Sequence, residues 1–159
     1  MSIRVVLADD HLIVREGVQR LLDTQPSIEV VAVCGDLDSL LAAVDAQGPE
    51  VVVTDIRMPP DNTDEGIRAA ERLRETHPDV GVVVLMDLRL PDIDGADAAR
   101  RLGNDERTAA IPVVALSALS LEGNEDWLRA AGFAGWIEKP IRVATFAEQV
   151  REYCSDATR

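Results

Sequence analysis

Several kinds of residue are scarce in this sequence, and each scarcity excludes a class of protein. The 159 residues include only two cysteines, Cys34 and Cys154, too few for a disulfide framework or a paired cysteine metal motif. No run of 18 apolar residues and no basic, apolar leader is present, so we expect a soluble, cytoplasmic protein without a membrane partner. The 16 basic residues are outnumbered by 29 acidic ones and are not clustered. At a net charge of −13, direct nucleic-acid binding is therefore not expected.

What the sequence does contain is a regular alternation of two patterns. Short apolar, β-branched runs predict strands at Ile3–Ala8, Ile28–Cys34, Val51–Thr54, Val82–Met86, Pro112–Leu116 and Gly135–Glu138. Amphipathic stretches between them predict helices at Leu12–Asp23, Leu37–Ala46, Asp64–His77, Ala96–Leu102, Glu122–Ala131 and Val143–Tyr153, with Gly48, Gly103 and Gly132 at helix ends. This alternation predicts an α/β protein: a doubly wound parallel sheet with helices on both faces.

The chain length fits a single domain over residues 1–159. If all six strands join one sheet through right-handed crossovers, their expected order is 2-1-3-4-5-6.

One segment of the chain is present twice. Residues Val51–Pro60 read VVVTDIRMPP and are echoed by VVLMDLRLPD at Val83–Asp92. Both contain Asp-x-Arg-x-Pro, and Asp55 and Asp87 stand 32 residues apart (87 minus 55), about one strand-helix-strand unit. Two copies are too few for a stacked-repeat fold, so the echo indicates a duplicated or recombined unit.

Groups capable of chemistry follow the predicted strands, where parallel sheets place their sites. They are Asp9, Asp10, Asp55, Asp87, Ser117 and Lys139. Carboxylates that meet at one sheet edge repel each other, and Mg²⁺ would relieve that repulsion. An aspartate beside Mg²⁺ can attack phosphorus, while a hydroxyl and an ammonium hold the transferred phosphoryl oxygens. Taken singly, Asp9 and Asp10 could be helix caps, Ser117 a turn residue and Lys139 a surface charge.

Together, these motifs resemble the receiver domain of bacterial response regulators, which has a flavodoxin-like fold. The resemblance rests on Asp9-Asp10, Asp-x-Arg-x-Pro, Ser117-Ala118 and Lys139-Pro140, and it covers nearly the whole chain. It implies that Asp55 or Asp87 accepts phosphate from a histidine kinase or phosphotransfer protein, and that the chain is not an enzyme.

The resemblance also implies a role for each site residue. Asp9 and Asp10 would hold Mg²⁺ with the acceptor aspartate and the backbone carbonyl two residues beyond it, which belongs to Arg57 or Arg89. Ser117 would follow the phosphoryl group as a switch, and Lys139 would pair with that group. Trp136 resembles the switch aromatic three residues before the lysine.

The sequence departs from this family by having six strand signals rather than five. Residues 1–84 resemble the first part of one receiver, and residues 83–154 resemble the second part of another. We therefore interpret the chain as a chimera of two receiver fragments, of engineered or natural origin. An inserted strand would split the site, separating Asp9, Asp10 and Asp55 from Ser117 and Lys139, so only weak phosphorylation is expected.

Alternatives remain open at this point. One copy of the duplicated unit could be excluded from the sheet or exchanged in a strand-swapped dimer, which would restore a five-stranded receiver; otherwise the chain is a monomer. The chain could also be a recombinant fold with no signalling activity. A haloacid-dehalogenase-type phosphatase is disfavoured because it needs a second aspartate where this chain has Arg57 or Arg89. A flavin site is disfavoured because Asp9-Asp10 would repel the phosphate.

Overall fold

The computed structural model describes residues 2–87, 95–117, 123–139, 142, 145–146, 148–149 and 152–153, with the backbone alone at positions 87, 95 and 98. The predictions for Arg89, for residues 118 and 140, and for Cys154 fall outside these ranges. Among the described residues, no helix has the length and apolar character needed to cross a membrane.

Six strands and five helices alternate along the described chain. The strands are β1 (Ile3–Ala8), β2 (Ile28–Cys34), β3 (Val51–Asp55), β4 (Gly81–Asp87), β5 (Val113–Ser117) and β6 (Gly135–Glu138). The helices are α1 (Leu12–Asp23), α2 (Leu37–Gln47), α3 (Glu65–Thr76), α4 (Gly95–Asn104) and α5 (Glu125–Ala130). Of the last predicted helix, the described residues 145–146, 148–149 and 152–153 are helical.

All six strands form one parallel sheet in the order β2-β1-β3-β4-β5-β6. This confirms the predicted flavodoxin-like fold class and strand order. Both copies of the duplicated segment contribute a strand, β3 and β4, and these two strands are neighbours. The arrangement in which one copy is excluded from the sheet is therefore not the one this chain adopts.

The sheet is covered on both faces by separate apolar layers. On one face, α2, α3, α4 and α5 pack against alternate residues of the strands, such as Val52, Val84 and Ala115. On the other face, Val18 and Leu22 of α1 pack with Phe146 against the remaining strand residues. The central strands are buried on both faces, which explains why they read as continuous β-branched runs in the sequence.

Several predicted boundaries shift by a residue or more, among them three at the ends of α3 and α4. Gly103 does not end α4, which continues to Asn104, because a helical glycine costs only about 1 kcal/mol when the surrounding helix packs well. Asp64 and His77 flank α3 as its caps rather than lying within it. Gly48, by contrast, adopts the left-handed conformation predicted for a helix end, with φ of 54°.

Candidate phosphoacceptor and metal site

The acidic residues that follow β1 and β3 converge at one edge of the sheet. Ala8 pairs with Thr54 across the two strands, so Asp9 and Asp55 leave the sheet at the same level. Ligand atoms of Asp9, Asp10, His11 and Asp55 all lie within 4.8 Å of one another. The structure thus brings the predicted residues Asp9, Asp10 and Asp55 together as the acidic half of the candidate site, and His11, to which the sequence assigned no role, lies beside them.

The Asp9 backbone and carboxylate are held by contacts from three directions. Its N–H donates to the Cys34 carbonyl at 3.1 Å, and its carbonyl accepts Nη1 of Arg15 at 2.7 Å. Its Oδ1 accepts the backbone N–H of His11 at 2.8 Å. These bonds fix Asp9 at the junction of β1, β2 and α1.

Asp55 is positioned by the close return of the chain onto the end of β3. Its Oδ1 accepts the backbone N–H of Ile56 at 2.7 Å, and the Gly66 N–H donates to the Ile56 carbonyl at 2.9 Å. A Cβ atom on Gly66 would lie 2.2 Å from the Asp55 carbonyl oxygen and 2.8 Å from Cα of Ile56. Only glycine lets α3 begin this close to the end of β3.

The loop between β3 and α3 is organised around a buried carboxylate that sequence reasoning missed. Glu65 is fully buried, and its oxygens accept the backbone N–H groups of Met58, Asp61 and Thr63. Burial opposes ionisation, but these bonds, together with the Glu65 N–H, outweigh it and lower the pKa of Glu65. The ionised side chain therefore ties the loop into one conformation beside Asp55.

The carboxylates of the acidic half are destabilised by burial and by one another. Burial, together with the nearby charge of Asp9, raises the pKa of Asp55 to about 7. Burial also raises the pKa of Asp9, an effect that the His11 N–H partly offsets. Without a cation, the cluster therefore holds a proton near neutral pH.

The donor set of the acidic half fits the divalent cation that the receiver fold implies. Asp9, Asp10 and Asp55 offer carboxylate oxygens, the ligands that Mg²⁺ prefers in proteins. Oδ1 of Asp10 is enclosed and accepts no hydrogen bond within the described chain, although Nδ1 of His11 lies 2.7 Å from it. Asp9, Asp10 and Asp55 would hold the ion.

The remaining candidate residues form a second half, offset from the first. Asp87 pairs with Leu116 of β5, so Ser117 lies one residue further along the sheet than Asp87. Ser117 in turn pairs with Glu138 of β6, so Lys139 lies one residue further along than Ser117. The Lys139 N–H donates to the Ser117 carbonyl at 2.7 Å. Ser117 is buried and Lys139 is half-buried.

The two halves are separated across the sheet and along the strands. Asp55 pairs with Leu85, so the Asp87 backbone lies one strand away and two residues further along, about 7 Å in the strand direction. Ser117 is the last residue of β5, two strands from β3, and Lys139 follows β6, three strands from β3. Because β4 lies between β3 and β5, Ser117 and Lys139 are each about 5 Å further from β3 than they would be in a sheet that lacked β4.

Two other predicted residues have partial structural settings. Trp136 on β6 is half-buried against the layer that contains α5, so it remains a candidate switch residue. Arg57 lies in the loop after β3 and is half-buried, and the role of its carbonyl as a metal ligand stays a prediction.

The geometry and the sequence agree with comparisons to known proteins. The model of the response regulator receiver domain family matches residues 5–85. The chain is similar to the polar-differentiation response regulator DivK of Brucella ovis, with 38% identity over 95 residues, which are 60% of this chain and 75% of that protein.

Solved structures give the same family resemblance. The signal receiver domain of the response regulator NarL from Mycobacterium tuberculosis is 25% identical, with a TM-score of 0.55 and 97% of each chain covered. The response regulator domain of Thermotoga maritima CheB has a TM-score of 0.59 over 99% of this chain and 97% of that one. At 21% identity, the CheB comparison supports the fold alone.

Proposed function

Because this chain belongs to the response regulator receiver family, we propose that it is a Mg²⁺-dependent phosphoacceptor module whose acceptor is Asp55 and whose phosphorylation is slow. The observation that carries the proposal is the meeting of Asp9, Asp10 and Asp55 within 4.8 Å at one sheet edge. Its phosphoryl donor would be a histidine kinase or phosphotransfer protein met in the cytoplasm.

Asp55 has the position and surroundings of a carboxylate nucleophile. In the transfer, a carboxylate oxygen of Asp55 forms a bond to phosphorus while the bond from phosphorus to the donor's histidine nitrogen breaks. A protonated Asp55 cannot attack, and its pKa of about 7 leaves much of it protonated at neutral pH in the absence of a cation. Bound Mg²⁺ would supply positive charge that favours the ionised carboxylate and neutralises the phosphoryl oxygens.

The residues that stabilise a transferred phosphoryl group lie too far from Asp55 for fast chemistry. Ser117 ends β5 and Lys139 follows β6, two and three strands from β3 respectively. Removing one such donor typically lowers a rate by about 10²–10³-fold. Asp87 has the opposite deficiency, since Ser117 is near in register but Asp9 and Asp10 follow β1, two strands from β4.

The duplicated segment also supports a proposal about the organisation of the chain. We infer one domain over residues 1–159, in which residues 1–84 correspond to one receiver fragment and residues 83–154 to another. The alternative function, a recombinant or engineered fold without signalling activity, is favoured by the same split between the two halves. Only a measured phosphorylation rate distinguishes a phosphoacceptor module from a fold without signalling activity.

The test is phosphorylation by acetyl phosphate with saturating Mg²⁺, followed by intact mass spectrometry over hours. We expect slow, partial addition of one phosphoryl group to the wild type, loss of that addition in Asp55→Asn, and its retention in Asp87→Asn. Chelation of Mg²⁺ should abolish it.

Three other outcomes would each count against part of the proposal. Rapid, stoichiometric modification would show that the split does not impair the site. Loss in Asp87→Asn alone would move the acceptor to the second half. No modification under any condition would favour the recombinant fold without signalling activity.

A further inference from the structure

The acidic half contains a nitrogen donor that Mg²⁺ coordination does not require. Nδ1 of His11 lies 2.7 Å from Oδ1 of Asp10 and 3.6 Å from Oδ1 of Asp9. We propose that His11 is a fourth protein ligand of the ion held by Asp9, Asp10 and Asp55, and that it strengthens the preference of the site for borderline divalent transition ions over Mg²⁺. This inference rests on the cation site of the proposed function.

The contact between His11 and Asp10 has the spacing of two ligands on one ion. At metal–ligand distances of about 2.1 Å, neighbouring ligand atoms lie about 3 Å apart and opposite ones about 4.2 Å apart. The 2.7 Å separation is close to the value for neighbouring ligands, and the 3.6 Å separation lies between the values for neighbouring and opposite ligands. Oδ1 of Asp10 nevertheless accepts no hydrogen bond within the described chain, so the ring and the carboxylate approach each other without the alignment of a hydrogen bond.

The backbone fixes His11 while leaving its ring outside the core. The residue caps the start of α1, its N–H donates to Asp9, and its side chain makes no capping bond to the helix. The side chain is 70% exposed. With Nε2 carrying the proton towards water, Nδ1 is left to coordinate an ion, and the exposed side of that ion keeps positions for water or a phosphoryl oxygen.

Ligand chemistry determines which ions would gain from His11. Mg²⁺ favours oxygen ligands and keeps several of its waters, so an imidazole adds little to its binding. Imidazole suits Zn²⁺, Ni²⁺ and related ions, whose affinities rise along the first transition series to copper. Because any oxygen site binds Co²⁺ or Zn²⁺ more tightly than Mg²⁺, the meaningful quantity is how far this preference depends on His11.

The experiment compares Co²⁺ and Mg²⁺ titrations of the metal-free wild type, His11→Gln and His77→Gln by calorimetry. Visible absorption of Co²⁺ provides a second readout. His77 is the matched control, since it is the other histidine of the chain and contacts Asp45 rather than the cluster. We expect His11→Gln to raise the Kd for Co²⁺ at least tenfold and to shift the Co²⁺ bands, while its Kd for Mg²⁺ changes less than threefold. His77→Gln should match the wild type with both ions.

Several outcomes would overturn the inference. They are a Co²⁺ affinity within threefold of the wild type in His11→Gln, an equal weakening of both ions, or no binding of either ion to the wild type. Failure of the proposed function is seen separately, as absence of Asp55 phosphorylation in wild-type protein with Mg²⁺. Co²⁺ binding that depends on His11 would stand even then.

Discussion

Ionisation of Asp55 destabilises the folded protein. Burial and the charge of Asp9 raise its pKa from 3.8 to about 7. An unfolded chain ionises this group near pH 4, whereas the folded chain retains the proton until near pH 7. The contribution of Asp55 to stability is thus fully present below pH 4 and is lost as the pH rises towards 7.

Replacement by asparagine should remove this pH-dependent loss. In metal-free buffer, we expect Asp55→Asn to raise the free energy of unfolding relative to the wild type by roughly 2 to 3 kcal/mol more at pH 8 than at pH 5. Urea unfolding of both proteins at the two pH values, with a chelator present, measures the difference.

The control for this experiment is Asp79→Asn, which removes an exposed carboxylate outside the cluster. Saturating Mg²⁺ should narrow the difference for Asp55→Asn, because a bound cation stabilises the ionised wild-type cluster. An Asp55→Asn effect of equal size at both pH values would contradict the assigned cause.

At the scale of the element, the start of α3 sets the position of Asp55. A methyl group on Gly66 would overlap the Asp55 carbonyl oxygen at 2.2 Å, and backbone atoms cannot rotate away as a side chain can. We expect Gly66→Ala to destabilise the protein by at least about 3 kcal/mol. Where it still folds, it should weaken Mg²⁺ binding as well, since Asp55 moves with the loop.

Gly103→Ala is the matched control for Gly66→Ala. Gly103 also lies in a helix, α4, but a Cβ atom there meets nothing within 4 Å. The alanine should therefore leave stability unchanged or raise it by about 0.5–1 kcal/mol. Thermal unfolding and Mg²⁺ calorimetry of both variants make the comparison, and equal effects of the two substitutions would contradict the close-approach argument.

The sequence predicted those elements whose pattern is local and regular. The continuous β-branched runs identified all six strands, since strands buried on both faces must be apolar throughout. The meeting of Asp9 with Asp55 also followed from the sequence, because neighbouring parallel strands end at the same edge. The structure adds the register that aligns Ala8 with Thr54.

Other features depend on contacts that no local pattern reveals. A glutamate at the start of an amphipathic helix reads as a favourable charge on the helix dipole, and nothing nearby in the sequence shows that Glu65 accepts N–H groups from the folded loop. Gly66 similarly reads as a weak helix residue. The role of His11 was missed because the direction of its ring, rather than its place before α1, brings Nδ1 to the carboxylates.

At the scale of the whole molecule, β4 lies between β3 and β5 and separates the two halves of the candidate site. Asp9 remains level with Asp55, and Asp87, Ser117 and Lys139 keep a regular step of one residue from strand to strand. The sheet continues through the sixth strand because β3 and β4 pair in regular parallel register, Val51 to Asp55 with Gly81 to Leu85. Formation of the sheet therefore does not require a joined site.

Removing one copy of the duplicated unit should rejoin the two halves. Joining residue 54 directly to Asp87 deletes 55–86, so that Asp87 takes the place of Asp55 beside Asp9 and Asp10 while keeping its step to Ser117 and Lys139. The acceptor would then have both its cation ligands and its phosphoryl-binding donors. We expect phosphorylation by acetyl phosphate with Mg²⁺ to be at least about 100-fold faster than in the full chain.

Two further variants make this expectation decisive. Asp87→Asn in the shortened chain should abolish the modification, which assigns it to the rejoined acceptor. A second junction, residue 50 joined to Val83, replaces β3 entirely with the other strand and tests whether the result depends on where the copies are fused. If both shortened chains fold, as judged by circular dichroism and cooperative unfolding, and neither reacts faster than the full chain, separation of the halves is not what limits phosphorylation. The phosphorylation rate would then be limited by a property of one half alone, because the shortened chains no longer place an extra strand between the aspartates and Lys139.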